Sequence, residues 1–157
     1  LFIGGKFKDI SPRGGPYFRE QHLARGVAVG DLDNDGKIDA VVSHINDPVA
    51  ILRGASPEKN HWLGVDLVRP KHADVVGARV VLEAGGRKQT RFAKGGGSYA
   101  STPDRRLVFG LGTLEGIDRV SIDWPNGEQQ VWRDLPVDRY HVLVQGEKEP
   151  RASRARK

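Results

Sequence analysis

Cysteine is absent from the sequence, which excludes disulfides, thiol nucleophiles and cysteine-ligated zinc, and leaves the compartment open. Methionine is missing too, even at position 1, so the chain reads as the C-terminal part of a longer protein. No apolar run approaches the roughly 18 residues that a membrane-spanning helix needs. The opening residues, Leu1-Phe2-Ile3-Gly4-Gly5-Lys6-Phe7, lack the charged start and apolar core of a signal peptide. Aromatic residues are few, and no stretch carries helical period for three turns. What is plentiful is glycine, with 20 residues, which favours turns and strands over helices.

Net charge is +5, and its placement says more than its size. Residues 1–60 are balanced, with eight Lys/Arg against eight Asp/Glu. Residues 61–145 have twelve against ten, and residues 146–157 have five against two. Over half of the excess therefore sits in a polar, aperiodic tail that reads as disordered and solvated. Arg87, Lys88, Arg91 and Lys94 are the densest positive group before it, and read as a solvated hairpin face.

Against that background, Asp31-Leu32-Asp33-Asn34-Asp35-Gly36-Lys37-Ile38-Asp39 stands apart. Asp31, Asp33 and Asp35 can converge if the backbone curls around one point. Gly36 permits the sharp turn that would bring the Lys37 carbonyl and Asp39 to the same point. Hard oxygens at this density suit Ca²⁺, which accepts six to eight of them in irregular geometry. An EF-hand matches as far as the ninth position, but its bidentate twelfth-position Glu is here Val42. The flanks, Gly26-Val27-Ala28-Val29-Gly30 and Ala40-Val41-Val42-Ser43, are short and β-branched, so the loop joins two strands.

Strand patterns recur along the chain. Lys6 to Ile10 alternates, Ser11 to Arg25 reads as an exposed connection, and Val49 to Arg53 follows a turn at Asn46-Asp47-Pro48. Beyond a linker, His61 to Val68 places Leu63, Val65 and Leu67 on one face. Ala78–Glu83 and Arg87–Ala93 flank Gly85-Gly86, a two-residue hairpin turn. Arg119–Trp124, Glu128–Arg133 and a strand marked by Tyr140, Val142 and Val144 complete the pattern. Trp124 falls on an apolar face and reads as core, whereas Trp62 lies opposite Leu63 and Val65 and is the better candidate for an exposed ring.

Catalytic motifs fail on inspection. Gly96-Gly97-Ser98-Tyr99-Ala100 nearly forms a nucleophile elbow, but Ala100 replaces the last glycine and no helix pattern follows. In Gly110-Leu111-Gly112-Thr113-Leu114-Glu115-Gly116 the third glycine falls one place late for a dinucleotide fingerprint. His22, His44, His61, His72 and His141 show no metal-site spacing. No enzyme is expected.

Two resemblances cover most of the chain. Arg25 to Gly36 resembles an FG-GAP (VCBS-type) repeat, the calcium-loop blade of integrin-like β-propellers. Asp31, Asp33, Asp35, the Lys37 carbonyl and Asp39 match the ligand positions of that repeat one by one. Residues 60–145 resemble the ASPIC/UnbV domain at Asn60-His61-Trp62-Leu63, Val76-Gly77-Ala78-Arg79-Val80 and Gly95-Gly96-Gly97-Ser98-Tyr99. Phe109-Gly110-Leu111-Gly112 and Trp124-Pro125-Asn126-Gly127 match as well. Departures are Val108, where that family often has His, and Gly54, where a blade often ends in Asn.

The expected fold is all-β. Residues 1–54 form one propeller-type blade with a calcium loop, 55–60 a linker, 61–145 a small antiparallel β-sandwich or barrel-like domain, and 146–157 a disordered basic tail. The expected function is non-catalytic, calcium-stabilised recognition or adhesion in an extracellular, cell-surface or periplasmic protein. Its partners would be a protein or glycan ligand and upstream blades of the same chain, with neither membrane span nor nucleic acid. Rival readings are an accessory domain of a secreted hydrolase or biosynthetic enzyme, and polyanion binding through the tail.

Overall fold

Alternating sequence becomes short strands. The computed structural model describes residues 2–56 and 58–152, and these form thirteen strands and three short 3-10 turns. First come β1 (Phe2–Ile3), β2 (Lys6–Phe7), β3 (Ala24–Gly30), β4 (Asp39–His44) and β5 (Ala50–Leu52). Then follow β6 (His61–Val68), β7 (Arg79–Ala84), β8 (Arg87–Phe92) and β9 (Leu107–Gly112). The chain ends through β10 (Arg119–Asp123), β11 (Gln129–Trp132), β12 (Arg139–Val144) and β13 (Arg151–Ala152). They make four small sheets, β1-β2, β3-β4-β5, β11-β10-β7-β8 and β13-β12-β6-β9, none of them closed. The fold is all-β, as the composition implies.

One core lies between the two four-stranded sheets. Leu63, Val65 and Leu67 of β6 are buried with Phe109, Leu111 and Leu143 from their own sheet. Facing them from the other sheet are Val80, Leu82, Val120, Ile122 and Trp132. Burying each such side chain stabilises the fold by about 1.5–3 kcal/mol, so this cluster dominates. Glutamines bridge the sheets on both flanks. Gln89 of β8 donates to the Gly110 carbonyl of β9 at 2.7 Å. On the far side Gln130 of β11 donates to the Glu147 carbonyl at 3.1 Å and accepts from the Gly146 amide at 2.9 Å.

Three expectations change. The second part is not purely antiparallel, because β6 and β12 pair in parallel from Leu63↔Arg139 to Val68↔Val144. A parallel pair needs a long crossover, and here β7 to β11 supply it. The tail does not lose order at residue 146. β13 pairs with β12 through Ala152↔His141 and Arg151↔Val142, and Arg151 Nε donates to Glu147 at 2.8 Å. Residues 153–157 lie outside the described residues. The strand expected over 6–10 stops at Phe7, and the Asp9 carboxylate instead accepts from the Ser11 amide at 2.8 Å as a 3-10 turn begins.

β3, β4 and β5 form a separate antiparallel sheet whose apolar side chains are largely open; Val29 and Ile51 are 44% and 62% exposed. Its β3 edge is covered by residues from the larger part. The Asp104 amide donates to the Val29 carbonyl and the Ser101 hydroxyl to the Val27 carbonyl, both at 2.8 Å. Glycine permits that approach: a Cβ on Gly30 would stand 2.6 Å from the Asp104 Cβ. The loop between β3 and β4 is thereby brought against β6 and β12.

Candidate metal centre

The loop curls because two residues adopt left-handed backbone, Asn34 at φ +62° and Gly36 at φ +82°. Its two ends are tied by carboxylates accepting backbone amides. Asp31 accepts from Asp35 N at 3.1 Å through Oδ1 and from Gly36 N at 2.8 Å through Oδ2. Asp39 accepts from Leu32 N at 2.9 Å and from Gly54 N at 2.8 Å, fastening the loop to the segment that follows β5. Both acids are buried, 1% and 3% exposed, and among the described residues no Lys or Arg forms an ion pair with their carboxylates.

Asp31, Asp33 and Asp39 converge, each offering an oxygen within 4.8 Å of the others. Asp35 is turned aside. Its Oδ1 accepts from the Lys37 amide and its Oδ2 from Lys37 Nζ, both at 2.9 Å, and these bonds hold its pKa below the ordinary carboxylate value. Arg53 pairs with Asp33. The donor set is all hard oxygen, which fits Ca²⁺ and not a soft metal. A carboxylate offers about four lone-pair sites, so the amides leave capacity on Asp31 and Asp39 for a cation.

Three side chains from the larger part close over the loop, and the motif gives no hint of them. The Tyr140 hydroxyl donates to Asp31 Oδ2 at 2.7 Å across 109 residues. Burial and this bond push the Tyr140 pKa far above its usual range. Arg106 donates to the Asp31 carbonyl at 2.6 Å and to the Asn34 side-chain oxygen at 2.5 Å. Burial opposes the Arg106 charge, but the 2.7 Å bond to Asp104 and the nearby Tyr140, Asp104 and Asp31 together outweigh it, and its pKa is raised. The Trp62 indole covers Gly36 and meets the Tyr140 ring edge-on, with centroids 5.1 Å apart. Trp62, expected as an exposed ring, is 9% exposed, because the loop occupies the face opposite Leu63 and Val65. In β6, Gly64 is the residue paired with Tyr140, and a Cβ there would collide with that ring at 2.2 Å.

Residues 68–150 match the family described as ASPIC and UnbV. The chain belongs to that family. The matched region of this ASPIC/UnbV chain holds Arg106 and Tyr140, while the acidic loop lies before it. Among curated relatives, cartilage acidic protein 1 of mouse and of human are each 33% identical over 127 residues, 77% of this chain. Cartilage acidic protein 1 of Xenopus tropicalis is 34% identical over 110 residues, 66% of this chain. The chain spans 16–19% of the length of these relatives. No helix among the described residues is long and apolar enough to cross a membrane.

Proposed function

We propose that this ASPIC/UnbV-family chain is a non-catalytic, calcium-stabilised recognition or adhesion module of an extracellular, cell-surface or periplasmic protein. The observation that carries the reading is the convergence of Asp31, Asp33 and Asp39 in a loop whose two buried acids have no ion-paired lysine or arginine among the described residues. In this reading residues 1–54 are an FG-GAP/VCBS-type blade, and β3-β4-β5 is the part of it that holds the ion. Its open apolar faces are then the surfaces that neighbouring blades of a longer protein cover. The relatives carry cartilage in their name, which supports an extracellular setting. Extracellular calcium modules bind at about 10⁻⁴ to 10⁻³ M, so millimolar Ca²⁺ would largely fill such a site.

The carboxylates act here as ligands, not as acids or bases. An ion offsets the repulsion between Asp31 and Asp39 and holds the β3–β4 turn closed, which fixes the surface presented to a protein or glycan. Titrating CaCl₂ against melting temperature tests this in the full chain and in Asp33→Ala. A hundredfold excess over the dissociation constant adds about 2.7 kcal/mol when only the folded state binds. Wild type should therefore melt several degrees higher in calcium than in chelator, and Asp33→Ala should lose most of that difference. Mg²⁺ should substitute poorly, since it prefers near-ideal octahedral geometry and keeps its waters. Identical wild-type melting curves in calcium and chelator would remove the site.

A further inference from the structure

Asp31 is bonded from two directions, and the two belong to different parts of the chain. Its Oδ1 accepts one donor, the Asp35 amide at 3.1 Å, which comes from the loop itself. Its Oδ2 accepts two, the Gly36 amide at 2.8 Å and the Tyr140 hydroxyl at 2.7 Å. Two donors fill the two lone pairs of Oδ2, so Oδ1 keeps the free pair that Asp31 can offer a cation. Without Tyr140 the carboxylate could rotate and share its oxygens between amide and ion. The hydroxyl on β12 therefore decides how Asp31 presents itself.

Arg106 holds the same ligand by its backbone. One guanidinium nitrogen takes the Asp31 carbonyl and another the side chain of Asn34, the left-handed residue at the turn. Arg106 is anchored in turn by Asp104, whose own amide bonds the Val29 carbonyl just before the loop. Its guanidinium carbon also lies 4.2 Å from the centre of the Tyr140 ring, so the two clamps support one another. Together they fix the first half of the loop from outside it, and an isolated loop has no equivalent.

We infer that the ASPIC/UnbV-matched region completes the calcium site, with Tyr140 and Arg106 as positioning residues that hold Asp31 for the ion. This inference rests on the calcium reading above. Partners that orient metal ligands typically cost 10–100-fold in metal affinity when removed. By linkage, calcium in turn strengthens the seating of the loop on β6 and β12.

Isothermal titration of the full chain with CaCl₂ is the test, with wild type, Tyr140→Phe, Asp33→Ala and Ile122→Val compared. Tyr140→Phe should weaken calcium binding about tenfold or more. Ile122→Val removes a core methylene from the other sheet, so it should lower the melting temperature and leave the dissociation constant unchanged. That contrast separates positioning from general loss of stability. Wild-type binding with an unchanged constant in Tyr140→Phe overturns the inference and leaves the calcium reading intact. No wild-type binding overturns both, and an Ile122→Val loss equal to that of Tyr140→Phe also overturns the inference. Should Tyr140→Phe not fold, Arg106→Gln carries the same expected weakening, and an unchanged constant there overturns the inference in its place.

Discussion

Gly36 lies directly beneath the indole of Trp62, so close that a Cβ on Gly36 would stand 2.2 Å from the ring. The two residues come from different sheets' surroundings, one from the acidic loop and one from the outer face of β6. Backbone and packing demand glycine together here, because φ at Gly36 is +82°.

Gly36→Ala should consequently destabilise the chain by more than the roughly 1–2 kcal/mol that a left-handed L-residue costs. Removing the indole should relieve the steric part only, so Gly36→Ala and Trp62→Ala combined should be less damaging than the sum of the two. Gly110→Ala is the control, with nothing within 4 Å of its Cβ and no positive φ. Urea midpoints for these variants and the wild type decide the matter, and simple additivity would remove the contact.

Arg53 pairs with Asp33, and on the calcium proposal it would compete with the cation for that carboxylate. Their ion pair is exposed, with 68% of the Arg53 side chain and 39% of the Asp33 side chain open to water. Exposed pairs contribute about 0–1 kcal/mol, which converts to at most a few-fold in binding. Arg53→Gln should thus tighten calcium binding a few-fold, measured by titration calorimetry at low salt. Weaker binding would mean that Arg53 supports the site and does not oppose it.

His141 contributes a pH dependence near neutrality. It is 6% exposed, with Nε2–H donating to the Pro136 carbonyl at 2.7 Å. Burial pushes its pKa below the ordinary value of 6.5. Below that value the unfolded chain binds the proton more readily than the folded one, so stability is complete above about pH 6.5 and declines as pH falls. His141→Gln should lower stability at pH 8 through the altered contact but flatten the decline between pH 7 and pH 5. Parallel melting profiles for the two proteins across that range would contradict the assignment.

Much of this structure is legible locally. The alternation of Leu63, Val65 and Leu67 predicts β6 with the bounds His61–Val68 and its buried face. Gly85-Gly86 predicts the β7–β8 turn, where both glycines have positive φ. β9 escapes the pattern because Gly110 and Gly112 interrupt Leu107-Val108-Phe109-Gly110-Leu111-Gly112, so a core strand looks like a turn. The parallel β6–β12 pairing leaves no local trace, since β6 also pairs antiparallel with β9 and its alternation fits either neighbour. At the loop, the spacing of the aspartates points to Asp31, Asp33 and Asp39 but equally to Asp35, which Lys37 draws away through two bonds. Trp62 reads as exposed because strand period reports only which face a residue takes. What covers that face is decided by a loop 26 positions earlier in the sequence.

The 109-residue separation between Asp31 and Tyr140 also sets an order of events. Closing a segment of that length costs chain entropy, and the β6–β12 pairing is itself long-range. Contacts of such high contact order form late, after the local hairpins β3–β4 and β7–β8. During synthesis the acidic loop emerges long before β12, and for that interval its aspartates have no tyrosine or arginine to hold them. On the calcium proposal, full capacity for an ion would therefore arrive with the last strands, and calcium occupancy would report whether the whole chain has finished folding.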